Sequence, residues 1–231
     1  MWPSSAAELV RAQRELAALA PPGWQPSAAL PLVAGCYLCF ERGETGRGRT
    51  GERGWAAAVL MRGNRGLVES AVAVGAAGAP YEPGLLALRE GPLLDAALRA
   101  LSEQPEALLC NATGRDHPRA AGLALQLGAM LDLPSIGVTD RPLLAEGAEP
   151  GADRGSTSPA LLRGVEVARL LRTRAGARPV VVHAGWRTDL DTATAVVRAS
   201  TRRARTPEPV RRARQLARYA RAAAGPGKSG R

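Results

Sequence analysis

Lysine is nearly missing from this chain: Lys228 is the sole lysine among 31 basic residues, so arginine carries the positive charge. Aromatic residues make up 3%, with a single phenylalanine, and there are only two histidines and three cysteines. Each shortage excludes something. Three cysteines in 231 residues do not make a disulfide framework, which points to a reducing compartment and a cytoplasmic protein. His117 and His183 alone give no convincing catalytic triad, and no G-x-x-x-x-G-K-[ST] phosphate loop is present. No uninterrupted apolar run is long enough for a transmembrane helix. Met1-Trp2-Pro3 lacks the positive start and apolar stretch of a secretory signal.

What is present reads as globular: 45% hydrophobic and 23% charged residues, enough for one good core. The expectation is one domain over residues 1–223, monomeric, followed by a disordered basic tail at 224–231. Abundant Ala, Gly, Pro and Arg suggest a compositional bias that explains arginine in place of lysine. It does not explain the formal charge of +10, which points to a polyanionic partner such as nucleic acid.

Apolar spacing predicts an amphipathic helix at 5–19, capped by Ser4 or Ser5, and a proline-rich loop at 21–31. A strand at 32–40 follows, then a mobile loop at 41–54 with no core residue, and strands at 55–61 and 67–74. Helices are expected at 92–102 and after His117-Pro118, alternating with short buried strands at 106–110 and 134–139. That alternation implies parallel strands joined by right-handed crossovers. Residues 143–159 read as loop, 163–173 and 178–183 as a hairpin, and 188–202 and 207–222 as helices, the last strongly basic. The fold class is α/β, a mixed central sheet flanked by helices.

Nucleases on such sheets commonly hold Mg²⁺ with carboxylates at strand ends. The acids near suitable loop edges are Glu90, Asp116 and Asp140. Cys36-Tyr37-Leu38-Cys39 is nominally a CxxC motif. On a strand, residues three apart face opposite sides, so these are expected to be two ordinary buried cysteines. One segment is unusual: Pro80-Tyr81-Glu82-Pro83-Gly84-Leu85-Leu86-Ala87-Leu88-Arg89-Glu90-Gly91-Pro92. Two prolines bracket an aromatic, which stiffens the loop and presents the ring as a candidate base-stacking wedge.

That segment resembles the P-Y-x-P-G-x-L-x-F-R-E-x-P signature of the endonuclease V family. Asn111-Ala112-Thr113-Gly114-Arg115-Asp116-His117-Pro118-Arg119 is similar to the family's D-G-H-G-x-x-H-P-R. Arg154-Gly155-Ser156-Thr157-Ser158-Pro159 resembles R-G-S-x-S-P. Leu131 to Val138, Thr201-Arg202 and Pro207-Glu208-Pro209 also match, in order, across roughly residues 5–220. The resemblance implies an RNase H-like fold and a Mg²⁺-dependent endonuclease. Such an enzyme recognises deaminated bases, chiefly inosine, in DNA or RNA, and cuts on the 3′ side of the lesion. It implies nucleic-acid contacts for Pro80, Tyr81, Pro83, Gly84, Ala112, His117 and Arg119.

The departures fall on the chemistry. The first-strand aspartate of the family falls on Tyr37, and the aspartate of D-G-H-G on Asn111. The lysine of G-V-A-K falls on Asp140, and the histidine of S-P-G-H-R on Trp186. Glu90 alone keeps a catalytic acid, and as a metal ligand it would bind weakly or not at all. Tyrosine cannot replace a bridging aspartate, and asparagine brings no charge. Ala112 adds a methyl group where the family has glycine, and Glu82 puts a carboxylate on the wedge loop. The expected protein is therefore catalytically silent and still binds DNA or RNA, with inosine-containing strands as the candidate ligand and Mg²⁺ required only if cleavage survives. The alternatives are an active nuclease rebuilt around Glu90 with Asp116 or Asp140, and a protein-interaction module using the basic C-terminal helix.

Overall fold

A computed structural model describes residues 1–41 and 46–225. Of the expected mobile loop, residues 42–45 lie outside the described residues, as does the tail beyond Gly225.

The chain opens with α1 (Ala6–Ala18), where Ser5 accepts from the Glu8 backbone N–H and Glu8 reaches back to Ser4, a reciprocal cap. A meander follows: β1 (Leu32–Phe40), β2 (Arg53–Arg62) and β3 (Gly66–Ala76). Then come α2 (Leu86–Arg99), β4 (Ala107–Cys110), α3 (Leu123–Leu131) and β5 (Ser135–Thr139). β6 (Thr157–Leu162), β7 (Val165–Leu171) and β8 (Val180–Ala184) lead into α4 (Leu190–Ala199) and α5 (Glu208–Ala223). The eight strands form one sheet in the order β3-β2-β1-β4-β5-β8-β7-β6. β1, β4 and β5 run parallel in its centre, and the flanking pairs are antiparallel.

Side-chain alternation along β1 gives the sheet its two covered faces. Leu32, Ala34, Cys36 and Leu38 join one cluster with α1, α2 and α3, while Val33 joins another with α4 and α5. Cys39 packs with Ala217 of α5, so Cys36 and Cys39 face opposite sides and both are buried, as expected. Gly35 is required by packing rather than by conformation: a Cβ there would strike the Pro209 backbone at the start of α5. The Ala34-Gly35 and Pro207-Glu208-Pro209 blocks thus meet across the sheet.

Three expectations need correction. α2 starts at Leu86, six residues before Pro92, so Pro92 lies inside the helix and Glu90 on it rather than at a loop edge. Proline favours a helix's first turn, but here burial of Ala87, Leu93 and Leu94 outweighs its cost of about 3 kcal/mol. The segment 143–159 is not all loop, because β6 begins at Thr157 and pairs with β7 as an additional edge strand. Finally, the 41–54 loop does hold a buried residue. Glu52 is 2% exposed and paired with Arg89, whose guanidinium also stacks 3.9 Å from the Phe40 ring centroid. Among the described residues, no helix is long and apolar enough to cross a membrane.

Candidate functional site

The parallel register sets the site. Cys36 of β1 pairs with Cys110 of β4, and Cys110 with Gly137 of β5, so Tyr37 and Asn111 emerge side by side where β4 ends. α2 brings Glu90 over them. Tyr37, Glu90, Asn111, Ala112 and Tyr81 line one cavity of about 230 Å³. Tyr37 is partly buried, its ring packed beside Leu216 of α5, whereas Asn111 is exposed. Burial pushes the Glu90 carboxyl up to about 7, against the opposing pull of Arg89. The same surroundings raise the buried Cys36 thiol, chiefly through its hydrogen bond with Cys110.

Above the cavity stands the loop of Tyr81. Tyr81 is 45% exposed, and its backbone N–H donates to the Arg47 carbonyl at 2.7 Å. The loop turns back through Glu82-Pro83-Gly84-Leu85: the Leu85 N–H donates to the Glu82 carbonyl at 3.0 Å, and Gly84 has φ +80°. Proline second and a positive-φ glycine third are what a type II turn demands. The Gly84 carbonyl then collects three donors, from Gln13 at 3.0 Å, His117 Nε2 at 3.2 Å and Arg119 at 2.7 Å. Arg119 also donates to the Gln13 side chain. Since a carbonyl can only accept, His117 carries its proton on Nε2, leaving Nδ1 to accept from the Arg119 backbone N–H at 3.2 Å. The neutral ring satisfies both contacts, and burial, helped by Arg119, lowers its pKa to about 4.

His117 and Arg119 both donate to the Gly84 carbonyl and so fasten the Tyr81 loop. Pro80, Tyr81 and Pro83 are exposed on that loop, and Gly84 is its pivot. Gln13 shares the work and carried no assigned role beforehand; its burial on the inner face of α1 is the signal that marks it.

Other expected site residues lie elsewhere. Asp140, past the end of β5, points to Arg205 at 2.6 Å and does not line the cavity. Asp116 is fully buried and accepts backbone N–H groups from Leu143, Leu144 and Ala145 at 2.7, 2.8 and 2.9 Å. Neither acid joins Glu90. Trp186 follows β8 and sits at the opposite end of β5 from Asn111. Its backbone N–H donates to Ser135 Oγ at 2.7 Å and its indole N–H to Asp132 at 3.2 Å. It neither fills the cavity nor borders it.

Mg²⁺ takes oxygen ligands and is usually held by one or two carboxylates with water and phosphate. The cavity offers one carboxyl whose pKa burial raises to about 7, one amide and two phenols. This donor set does not fit the ion. Among the described residues, no group of three or more His, Cys, Asp or Glu side chains is placed to hold a metal.

The family model described as Endonuclease V matches residues 23–215. The chain belongs to the endonuclease V family. Endonuclease V of Streptomyces avermitilis is 47% identical over 165 residues, covering 71% of this chain and 72% of that protein. Endonuclease V of Rhodospirillum centenum is 37% identical over 98% of this chain and 93% of its own length. The crystal structure of the Streptomyces avermitilis endonuclease V superposes with a TM-score of 0.85 at 40% identity, covering 96% of each chain. The Ciona intestinalis endonuclease V, crystallised with a 24mer DNA containing an inosine followed by a ribo-adenosine, shares the fold at TM-score 0.77 and 19% identity.

Proposed function

We propose that this endonuclease V-type protein binds nucleic acid at a deaminated base, with inosine as the base, and has lost most or all strand cleavage. The observation that carries the reading is the pairing of a braced Tyr81 loop with a cavity that has Tyr37, Glu90 and Asn111 where metal ligands would be needed. The first feature supports binding. Tyr81 is exposed, held at its backbone, and braced from below through Gly84. The second argues against hydrolysis. Two neutral groups and one carboxyl with a pKa near 7 make a poor seat for the ion that would polarise a phosphate and activate water. Asp140, standing where the family has lysine, adds a negative group in place of a positive one, and Arg205 engages it.

The competing reading is a cleaving enzyme rebuilt around Glu90. It would need a second carboxylate beside Glu90, and the two candidates are committed elsewhere, Asp116 to three backbone N–H groups and Asp140 to Arg205.

The test is nicking of a duplex with one inosine, in Mg²⁺ and then Mn²⁺, beside binding to the same duplex. Binding without nicking is expected. The triple variant Tyr37→Asp/Asn111→Asp/Asp140→Lys should then gain metal-dependent nicking, because it restores two carboxylates and one cation; its failure would point to wider loss through Ala112, Glu82 or Trp186. Nicking by the unaltered protein would sink the reading. Absence of any binding would move the function to a protein partner.

A further inference from the structure

The basic helix α5 carries Arg211, Arg214, Arg218 and Arg221 at spacings of three, four and three. A turn of about 100° per residue gathers these on one side of the helix. They differ in what holds them. Arg211 is tied to Glu208 at 2.6 Å, and Arg221 donates to the Phe40 carbonyl at 2.9 Å. Arg214 and Arg218 are exposed, and neither has a carboxylate partner among the described residues. The Arg214 guanidinium carbon instead lies 5.6 Å from the centroid of the Tyr37 ring. Arg218 and Arg221 line a second cavity, of about 400 Å³, that shares Tyr37, Tyr81 and Glu90 with the first.

We infer that Arg214 and Arg218 hold a backbone phosphate of the bound strand directly, with no divalent ion between protein and phosphate. The inference rests on the nucleic-acid reading above and says how the site grips its strand. Tyr37 is the centre of the argument. The phenol ring adds no charge, and it supports the planar guanidinium by stacking, so the fork is oriented before a phosphate arrives. The second cavity keeps a positive balance. Its Glu52 is already matched by Arg89, which leaves Arg218, Arg221 and Arg47 against Glu41 and Glu90. Tyr81 stands on the shared wall, so a strand with one base at the wedge would lead its phosphates along α5.

The inference separates cleanly from a metal-mediated grip. The full chain is titrated with a fluorescent duplex containing one inosine, in EDTA and in Mg²⁺ at matched ionic strength, over a range of salt. Affinities within twofold of each other in the two buffers are expected. Arg214→Gln/Arg218→Gln should bind about tenfold more weakly, with a salt slope smaller by about one, the share of one phosphate contact. Arg214→Lys/Arg218→Lys should restore the slope, since it restores the charge. Arg163→Ala/Arg174→Ala, which removes two exposed charges near the far sheet edge, should change affinity less than twofold. Binding that needs Mg²⁺, or an unchanged slope in the glutamine variant, would overturn the inference while leaving the nucleic-acid reading intact. No binding by the unaltered chain in either buffer would overturn that reading, and this inference with it.

Discussion

Around Gly84 the polar groups are matched. One carbonyl takes Gln13, His117 and Arg119, and Asp116, next to His117 in the chain, closes a second loop by accepting three backbone N–H groups. On the cavity floor the polar groups are left free: no side-chain hydrogen bond ties Tyr37, Glu90 or Asn111 among the described residues. The residues that still resemble the family are largely those whose side chains contact other parts of the protein. The substituted ones include those that would have contacted an ion. A scaffold residue that is lost leaves buried donors unpaired and costs stability at once, whereas a ligand lost from an open cavity costs only the chemistry.

The largest effect should come from breaking the matched region. Asp116→Ala would take a fully buried acceptor from three N–H groups, that of Ala145 buried and those of Leu143 and Leu144 partly buried, and should cost about 3–5 kcal/mol. Urea unfolding checks it. A loss under about 1 kcal/mol would mean that the 143–145 loop finds other partners, and the contrast between the two regions would weaken.

Residue 116 also shows how much was legible beforehand. The sequence pattern placed it near a loop edge with Glu90 and Asp140, since all three are acids beside predicted strands or helices. Spacing could not tell a metal ligand from a loop clamp, because the distinguishing partners, the N–H groups of 143–145, are nearly thirty residues away. β1 was readable to its ends, as an apolar run bounded by proline and charge. α2 was not, because Pro92 imitates a helix start and only tertiary burial carries the helix across it. The 3-4-3 arginine spacing of α5 was visible in the sequence. Which of those arginines are free was not, because that depends on the Glu208 side chain and the Phe40 carbonyl.

The next effect is smaller and lies on the floor. The Glu90 carboxyl is raised to about 7 from 4.5, so its charged form is disfavoured by folding. The contribution is fully present below the unfolded value near 4.5, and is lost as pH rises through 7. In EDTA, Glu90→Gln should therefore stabilise the protein by up to about 3 kcal/mol at pH 8 and by nothing below pH 4.5. His117 works in the opposite sense. Its pKa is lowered to about 4, so its contribution is present above 6.5 and is lost as pH falls toward 4. His183, also lowered to about 4 by burial, adds to that acid loss. The stability of the Glu90→Gln protein should thus match the parent below pH 4.5, rise above it between 4.5 and 7, and stay above it at higher pH. A Glu90→Gln protein no more stable than the parent at pH 8 would show that Glu90 is charged in the fold at little cost, and that the floor is a better cation seat than its burial implies.

The smallest effect on stability should be the largest on recognition. Tyr81 is nearly half exposed and, among the described residues, no hydrogen bond ties its hydroxyl, so Tyr81→Ala should leave unfolding unchanged within about 0.5 kcal/mol. If the ring stacks on a base or fills the gap a flipped base leaves, its loss should weaken binding to an inosine duplex by about 1–3 kcal/mol. Gln13→Ala supplies the contrast, since it removes a brace under Gly84 and keeps the ring. It should weaken binding less than Tyr81→Ala while costing more stability. If both variants bind like the parent, the rigid loop is only a structural cover over the cavity. The braced region and the open floor would then no longer be two parts of one binding site, and the affinity for nucleic acid would have to come from α5 alone.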